Sequence, residues 1–260
     1  MGVLNVTPDS FSDRGRFFER ERAIEHANRM IAEGADILDV GGESTRPGAE
    51  PVPEDEELRR LLPVLQALRD ASVPVSVDTM KPGVMRAAIG EGASMINDVN
   101  AFRAEGALDA VAKSDAAVCI MHMLGNPRTM QSAPRYDNVV AEVRQFLAER
   151  ARAAQTAGVA PERMVVDPGF GFGKTVAHNM TLLRELHELA VLGFPIMFGA
   201  SRKASLGAIT GRAAEDRLHA SVAAALLAAE RGAAIVRVHD VAPTRDALAV
   251  LSAMLEARPG

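Results

Sequence analysis

Residues 37–78 read ILDVGGESTRPGAEPVPEDEELRRLLPVLQALRDASVPVSVD. The stretch opens on one short apolar run, 37–40, and closes on another, 75–77. Between them Leu58, Leu61, Leu65 and Leu68 recur three to four residues apart, the spacing of one helix face. Glu54-Asp55-Glu56-Glu57 precedes that face, and negative charge suits the positive end of a helix dipole. Pro63 interrupts the stripe and is a candidate kink. Strand, helix and strand in this order predict a parallel βαβ unit.

The same alternation runs through the chain. Further strand candidates are 3–6, 95–96, 118–121, 164–166, Ile196–Phe198 and 235–238. Most are too continuously apolar for a half-exposed sheet and suit strands buried on both faces. Val140, Val143, Leu147 and Ala151 mark a second helical stripe with Gly158 as its stop. The apolar stretches 213–229 and 242–257 predict late outer helices. Eight βα units in 260 residues predict an α/β fold, a (β/α)8 TIM barrel filling residues 1–260 as one domain. A doubly wound open sheet is the competing architecture.

Composition narrows the function classes. A net charge of -5 argues against bulk binding of nucleic acid or anionic membrane. No apolar stretch approaches the roughly 20 residues of a membrane span, and Met1-Gly2-Val3-Leu4 runs into a strand without signal-peptide features. Aromatic residues make up only 4%, so aliphatic residues and Ala must fill the core. The single cysteine, Cys119, lies in an apolar run and reads as core filler in a reduced, cytoplasmic protein.

Chemically useful residues gather where the strand runs end. Asn5 lies in the first and Thr7-Pro8-Asp9 follows it; Gly41-Gly42-Glu43-Ser44-Thr45-Arg46 follows the second. Asp78 ends the third, Asn97-Asp98 the fourth, His122 the fifth and Asp167 the sixth. Ser201-Arg202-Lys203 follows the seventh, and the eighth carries Arg237 and His239. The carboxyl ends of barrel strands open onto one face, where such enzymes build their sites. Taken singly, Asn97 or Asp98 suits a helix cap, Lys203 a solvated lysine, and His122 a structural histidine. Arg237 and His239 are harder to dismiss: two apart on a strand, they share a face, and buried positive charge requires an anionic partner.

These residue types support two chemistries at one mouth. Asp78, Asn97 and Asp167 can read a flat heterocycle carrying N–H and amino donors. Arg46, Arg202, Lys203, Arg237 and His239 supply positive charge, which suits a phosphorylated substrate. Asp167-Pro168-Gly169-Phe170-Gly171-Phe172-Gly173-Lys174-Thr175 resembles a P-loop at first sight, but Pro168 stands where that motif needs Gly. It reads instead as a flexible βα loop with two exposed phenylalanines able to cover an aromatic substrate. For Phe170, local packing in a tight turn is nearly as good a reading.

Longer strings add a resemblance. Asn5-Val6-Thr7-Pro8-Asp9-Ser10-Phe11-Ser12-Asp13 and Gly41-Gly42-Glu43-Ser44-Thr45-Arg46-Pro47-Gly48 resemble the first and second substrate loops of dihydropteroate synthases. The likeness continues through Ser76-Val77-Asp78-Thr79, Asn97-Asp98-Val99, His122-Met123, the segment 167–174, Ser201-Arg202-Lys203 and Arg237-Val238-His239-Asp240. That resemblance implies a transferase of folate biosynthesis, a sulfonamide target. It would condense 6-hydroxymethyl-7,8-dihydropterin pyrophosphate with p-aminobenzoate, releasing pyrophosphate and 7,8-dihydropteroate by a dissociative substitution. Asp78, Asn97, Asp167 and Lys203 would hold the pterin, and Arg237 would line the pterin and reach the pyrophosphate, which His239 and Thr45 would also hold. Asp78, Asp167, Lys203, Arg237 and His239 would be the catalytic set. Asn5 would contact Mg2+, with Asp9 or Asp13 helping, while Phe11, Thr45, Arg46, Pro47, Phe172 and Ser201 would form the p-aminobenzoate pocket. A homodimer through outer helices is implied as well.

The chain departs from the family pattern in three places. Arg14 precedes Gly15 where two glycines are common, Leu124 replaces a polar residue, and the usual extension before the first strand is absent. Two alternatives share the pterin barrel: methyltransferases that move a methyl group from methyltetrahydrofolate to a corrinoid protein, and a non-catalytic pterin-binding paralogue. The intact Ser44-Thr45-Arg46-Pro47 and Ser201-Arg202-Lys203 strings weigh against both.

Overall fold

The computed structural model describes residues 1–6, 15–46 and 48–257. Eight strands lie side by side in chain order, all parallel: β1 (Gly2–Asn5), β2 (Leu38–Gly41), β3 (Val75–Asp78), β4 (Met95–Asp98), β5 (Ala117–Met121), β6 (Met164–Asp167), β7 (Ile196–Phe198) and β8 (Ala233–Val236). The ring closes at β1. Val3 N donates to Val238 O at 2.9 Å and Val238 N to Met1 O at 3.0 Å, a parallel bridge between Gly2 and Val238. A doubly wound sheet would reverse its strand order partway; this one does not, and the architecture is the (β/α)8 barrel.

Helices α1 (Gly15–Ala32), α2 (Glu54–Ala67), α3 (Pro82–Gly90), α4 (Ala107–Ala112), α5 (Val139–Thr156) and α6 (Val176–Arg184) each follow one strand. Both α7 (Ala204–Thr210) and α8 (Leu218–Glu230) lie between β7 and β8, and α9 (Val241–Glu256) follows β8. Helix α2 continues through Pro63 and buries Leu61 and Leu65. In α5 the Asn138 side chain accepts from Val140 N and Ala141 N, and Val143, Leu147 and Ala151 face inward. That helix ends just before Gly158, whose φ of 102° only glycine adopts without strain.

One correction concerns the last strand. The expected run 235–238 is displaced: β8 ends at Val236, and Arg237 and His239 lie beyond it. The pairing shifts register between Ile196 and Met197 on β7; past Val236, Arg237 N still donates to Phe198 O of β7 at 2.9 Å, while Val238 bonds Met1 and Val3 and closes the ring on β1.

Alternation along the strands sorts the side chains. Leu38, Val40, Val77, Ile96, Val118, Ile120, Met164 and Val166 belong to the large core between barrel and helices. Met1, Met95, Cys119, Val165 and Met197 form a separate apolar cluster inside the barrel. Cys119 is thus core filler, as expected, and burial pushes its thiol up, away from the reactive thiolate. Above this plug the inward positions turn polar.

Candidate functional site

The strand registers build the floor of the mouth. Asp39 pairs with Ser76, Gly41 with both Asn5 and Asp78, Asp78 with Asn97, and Met121 with Asp167. Partners in a parallel ladder share a face, so Asn5, Asp78, Asn97 and Asp167 all project into the barrel. Two inward positions carry no side chain. A Cβ on Gly41 would stand 3.6 Å from the Asp78 Cβ, and one on Gly199 would stand 3.5 Å from the Arg237 Cβ. Gly41 thus lies against Asp78, and Gly199 against Arg237.

Arg237 organises this floor. Its Nε donates to Asp39 Oδ2 at 2.6 Å and its Nη2 to Asp78 Oδ2 at 2.9 Å. Asp39 also accepts from Ser76 Oγ at 2.6 Å and Asn97 Nδ2 at 3.4 Å. Both carboxylates hold the guanidinium well charged despite burial. What remains unmatched is specific: Asp78 Oδ1 and Asn97 Oδ1 are buried acceptors without a hydrogen-bond partner. Orphaned buried acceptors cost free energy, and two on adjacent strands call for a ligand that donates. Burial, reinforced by Asp39, raises the Asp78 carboxyl to about 7 against the pull of Arg237.

On the opposite wall, Asp167 Oδ1 accepts from Gly169 N at 2.6 Å, and burial raises its carboxyl against the pull of Lys203. Lys203 donates to Phe170 O at 2.5 Å and lies 4.6 Å above the Phe172 ring. Burial lowers its ammonium to about 8. Asp167 and Lys203 stay attractive neighbours without forming an ion pair, which leaves both groups available to a ligand between them.

The rim is less cationic than residue counting implied. Arg202 is spent on Asp240 in a bidentate pair at 2.5 and 3.1 Å. His239 Nδ1 lies 3.0 Å from Ser201 Oγ, and the His239 backbone N–H donates to the same oxygen at 3.1 Å. Burial, then Arg237 and Arg202, lower the His239 imidazole to about 4, so it is neutral at pH 7. Counting Arg202 and His239 as free positive charge is therefore corrected. Arg46 is exposed and Thr45 half-buried on the segment after β2. Of the expected p-aminobenzoate residues Phe11 and Pro47 lie outside the described residues, as do Asp9, Asp13 and Arg14.

The glycine-rich segment also differs from expectation. Phe170 is fully buried, edge-on to Phe198 with ring centroids 5.3 Å apart, and Phe172 is only 9% exposed. The loop is tied down: Gly171 N donates to Asn179 Oδ1 at 2.8 Å, and Gln131 and Tyr136 donate to Gly171 O and Gly173 O. The reading as a flexible loop with two exposed phenylalanines is overturned, because both rings are buried and hydrogen bonds from α6 and from the segment between β5 and α5 hold the loop. Asp98 caps no described helix, since the N-cap of α4 is Gly106; it holds the turn after β4, accepting from Asn100 N and Phe102 N at 2.7 Å each.

Sequence reading missed Asp39, which is fully buried. It was absorbed into the apolar run 37–40; the signal was a charge at an inward position of a buried strand.

Comparison with known proteins agrees with this geometry. The model of the family described as pterin binding enzyme matches residues 1–239. The dihydropteroate synthase of Escherichia coli K12 is 48% identical over 259 residues, 99% of this chain and 92% of that protein. A Xanthomonas albilineans dihydropteroate synthase solved with 4-aminobenzoic acid superposes with a TM-score of 0.94 at 55% identity, covering 99% of this chain and 93% of that one. The Burkholderia cenocepacia dihydropteroate synthase complexed with 7,8-dihydropteroate gives 0.90 at 55% identity, with coverage of 98% and 90%.

Proposed function

This chain belongs to the pterin binding enzyme family, and from that premise we propose that it catalyses the dihydropteroate synthase reaction of folate biosynthesis. It joins 6-hydroxymethyl-7,8-dihydropterin pyrophosphate to p-aminobenzoate, giving 7,8-dihydropteroate and pyrophosphate. One observation carries the reading: Asp78 Oδ1 and Asn97 Oδ1, at paired inward positions of adjacent strands, are buried acceptors without a hydrogen-bond partner. A pterin edge offers the ring N–H and amino donors that such a pair lacks.

The remaining roles follow from charge and position. Asp167 and Lys203, unpaired with each other, take the far side of the ring. Arg237 turns Nε and Nη2 toward the floor, so Nη1 is the group left for the substrate. His239 and Thr45 hold the pyrophosphate as hydrogen-bonding partners. Phe172, Ser201, Thr45 and Arg46, with Phe11 and Pro47, form the p-aminobenzoate side, where Arg46 meets the carboxylate.

Asn5 tests the fit of Mg2+. Its carboxamide points into the mouth beside Gly41, and among the described residues no cluster of three His, Cys, Asp or Glu could hold a metal. One neutral oxygen donor suits a hard cation that takes its other ligands from water and phosphate, so Asn5 would hold Mg2+ arriving with the pyrophosphate. Bound there, the ion would supply charge stabilisation to the leaving group.

In the reaction the C–O bond to pyrophosphate breaks first, and its electron pair leaves with the phosphate. The ring-binding acids Asp78 and Asp167 favour the methylene cation left on the pterin. The aromatic amine then attacks that carbon and loses a proton. No enzyme nucleophile is needed, consistent with the inert Cys119. Exclusion of water protects the cation from hydrolysis.

The rest of the protein supports simpler statements. No described helix is long and apolar enough to cross a membrane; a cytoplasmic location is supported by the free, buried Cys119. A homodimer is supported by the exposed Leu227 of α8 and Val250, Met254 and Leu255 of α9. The corrinoid methyltransferase alternative has no use for an aminobenzoate side.

Asp167→Asn and Lys203→Ala test the ring site. Each is expected to fold and to lose nearly all turnover, since each removes a charged partner of the pterin. Near-normal activity in either variant sinks the assignment.

A further inference from the structure

His122 and Lys174, two residues without a role in the reaction above, meet beneath the mouth. Lys174 is 3% exposed, and no carboxylate pairs with it among the described residues. Its Nζ lies 2.9 Å from His122 Nδ1 and donates to Gly169 O at 2.9 Å and Phe172 O at 3.0 Å. Burial lowers the Lys174 ammonium well below the usual lysine range. In its charged form it has three donors and no acceptor, whose near partners are the two carbonyls and His122 Nδ1, with His122 O farther off at 3.5 Å. A charged Lys174 leaves His122 Nδ1, 2.9 Å away, bare of a proton, with the ring hydrogen on Nε2. The imidazole is fixed edge-on to Phe146, centroids 4.9 Å apart at 81°, and burial keeps it from protonating. A Cβ on Gly169 would fall 1.8 Å from His122 O, so the loop is pressed against the end of β5.

Burying a cation without an anion is costly for stability, and an apolar side chain of similar length could fill the same space. What the lysine adds is direction: it draws the carbonyls on either side of Phe170 and Phe172 to one point. We propose that Lys174 and neutral His122 form a positioning pair that sets Phe172 against the p-aminobenzoate side of the mouth. The inference rests on the dihydropteroate synthase reading. Neither residue touches substrate; both act through the loop 168–174.

Two variants and one spectrum test it. Lys174→Met removes the donors, and His122→Phe removes the acceptor while keeping a ring against Phe146. In either, KM for p-aminobenzoate is expected to rise about tenfold, the size of effect a small misplacement produces. KM for the pterin pyrophosphate and kcat should stay within about twofold. In the wild type, nitrogen NMR of His122 between pH 5 and 8 should show the Nε2–H tautomer. A folded Lys174→Met or His122→Phe protein with unchanged KM for p-aminobenzoate overturns the proposal, as does an Nδ1–H signal in the wild type. If the wild type has no synthase activity, that reading fails by itself. The tautomer then decides the pair alone: Nε2–H upholds it and Nδ1–H rejects it.

Discussion

Asp78 and Lys203 stand on opposite sides of the mouth with ionisations displaced toward one another. Burial raises the Asp78 carboxyl to about 7 and lowers the Lys203 ammonium to about 8. Substrate capture needs Asp78 ionised to accept from the pterin and Lys203 charged to donate. Hence kcat/KM for the pterin pyrophosphate should climb as pH rises through about 7 and decline as it rises through about 8, a narrow bell. In Lys203→Arg, where the cation no longer titrates in this range, the alkaline decline should vanish; an unchanged decline assigns that limb to another group. Arg46, exposed at the rim, belongs to the second substrate. Arg46→Ala is expected to raise KM for p-aminobenzoate about tenfold or more, the loss of a charge-assisted contact, with pterin pyrophosphate binding unchanged by calorimetry. Equal loss of both would make the segment after β2 a general structural element. At this scale Asp78, Asn97, Asp167 and Lys203 were legible because each ends or follows a recognisable strand. Asp39 carried a local signal, a charge inside a buried strand, but its pairing with Arg237 was not legible, since that partner lies 198 residues away.

The segment between β6 and α6 shows where local reading stops. Glycines at 169, 171 and 173 have φ of 68°, 84° and 66°, the left-handed region that favours glycine. Their number suggested mobility, whereas the fold uses them for close approach: Gly169 meets the backbone of His122 and Gly173 that of Leu124. Gly169→Ala combines a positive φ with overlap against a carbonyl oxygen. Its cost should exceed about 2 kcal/mol, since the left-handed conformation alone costs roughly 1–2 kcal/mol. A urea midpoint equal to wild type would show that the loop is loose. Strand existence was legible throughout, since runs buried on both faces stay apolar. The end of β8 was not, because ring closure onto β1 decides where its ladder stops.

Across the molecule, the barrel joins residues far apart in the chain and holds them with one shared guanidinium. Asp39 of β2 and Asp78 of β3 both bind Arg237, which follows β8. Asp39→Ala leaves Arg237 one carboxylate and strands Ser76 and Asn97, so stability should fall by on the order of 3 kcal/mol, as for other broken buried pairs. An unchanged urea midpoint would remove Asp39 from the framework. The closed ring was predictable from the count of βα units; the polar layer above its apolar plug emerged only once the registers aligned Asp39 with Ser76 and Asp78 with Asn97. The whole account meets its most direct test in pyrophosphate release from 6-hydroxymethyl-7,8-dihydropterin pyrophosphate with Mg2+, with and without p-aminobenzoate. Release that requires p-aminobenzoate, matched by 7,8-dihydropteroate formation, is the predicted result. Tight pterin binding with no release under either condition would contradict it and leave a pterin-binding barrel without the synthase reaction.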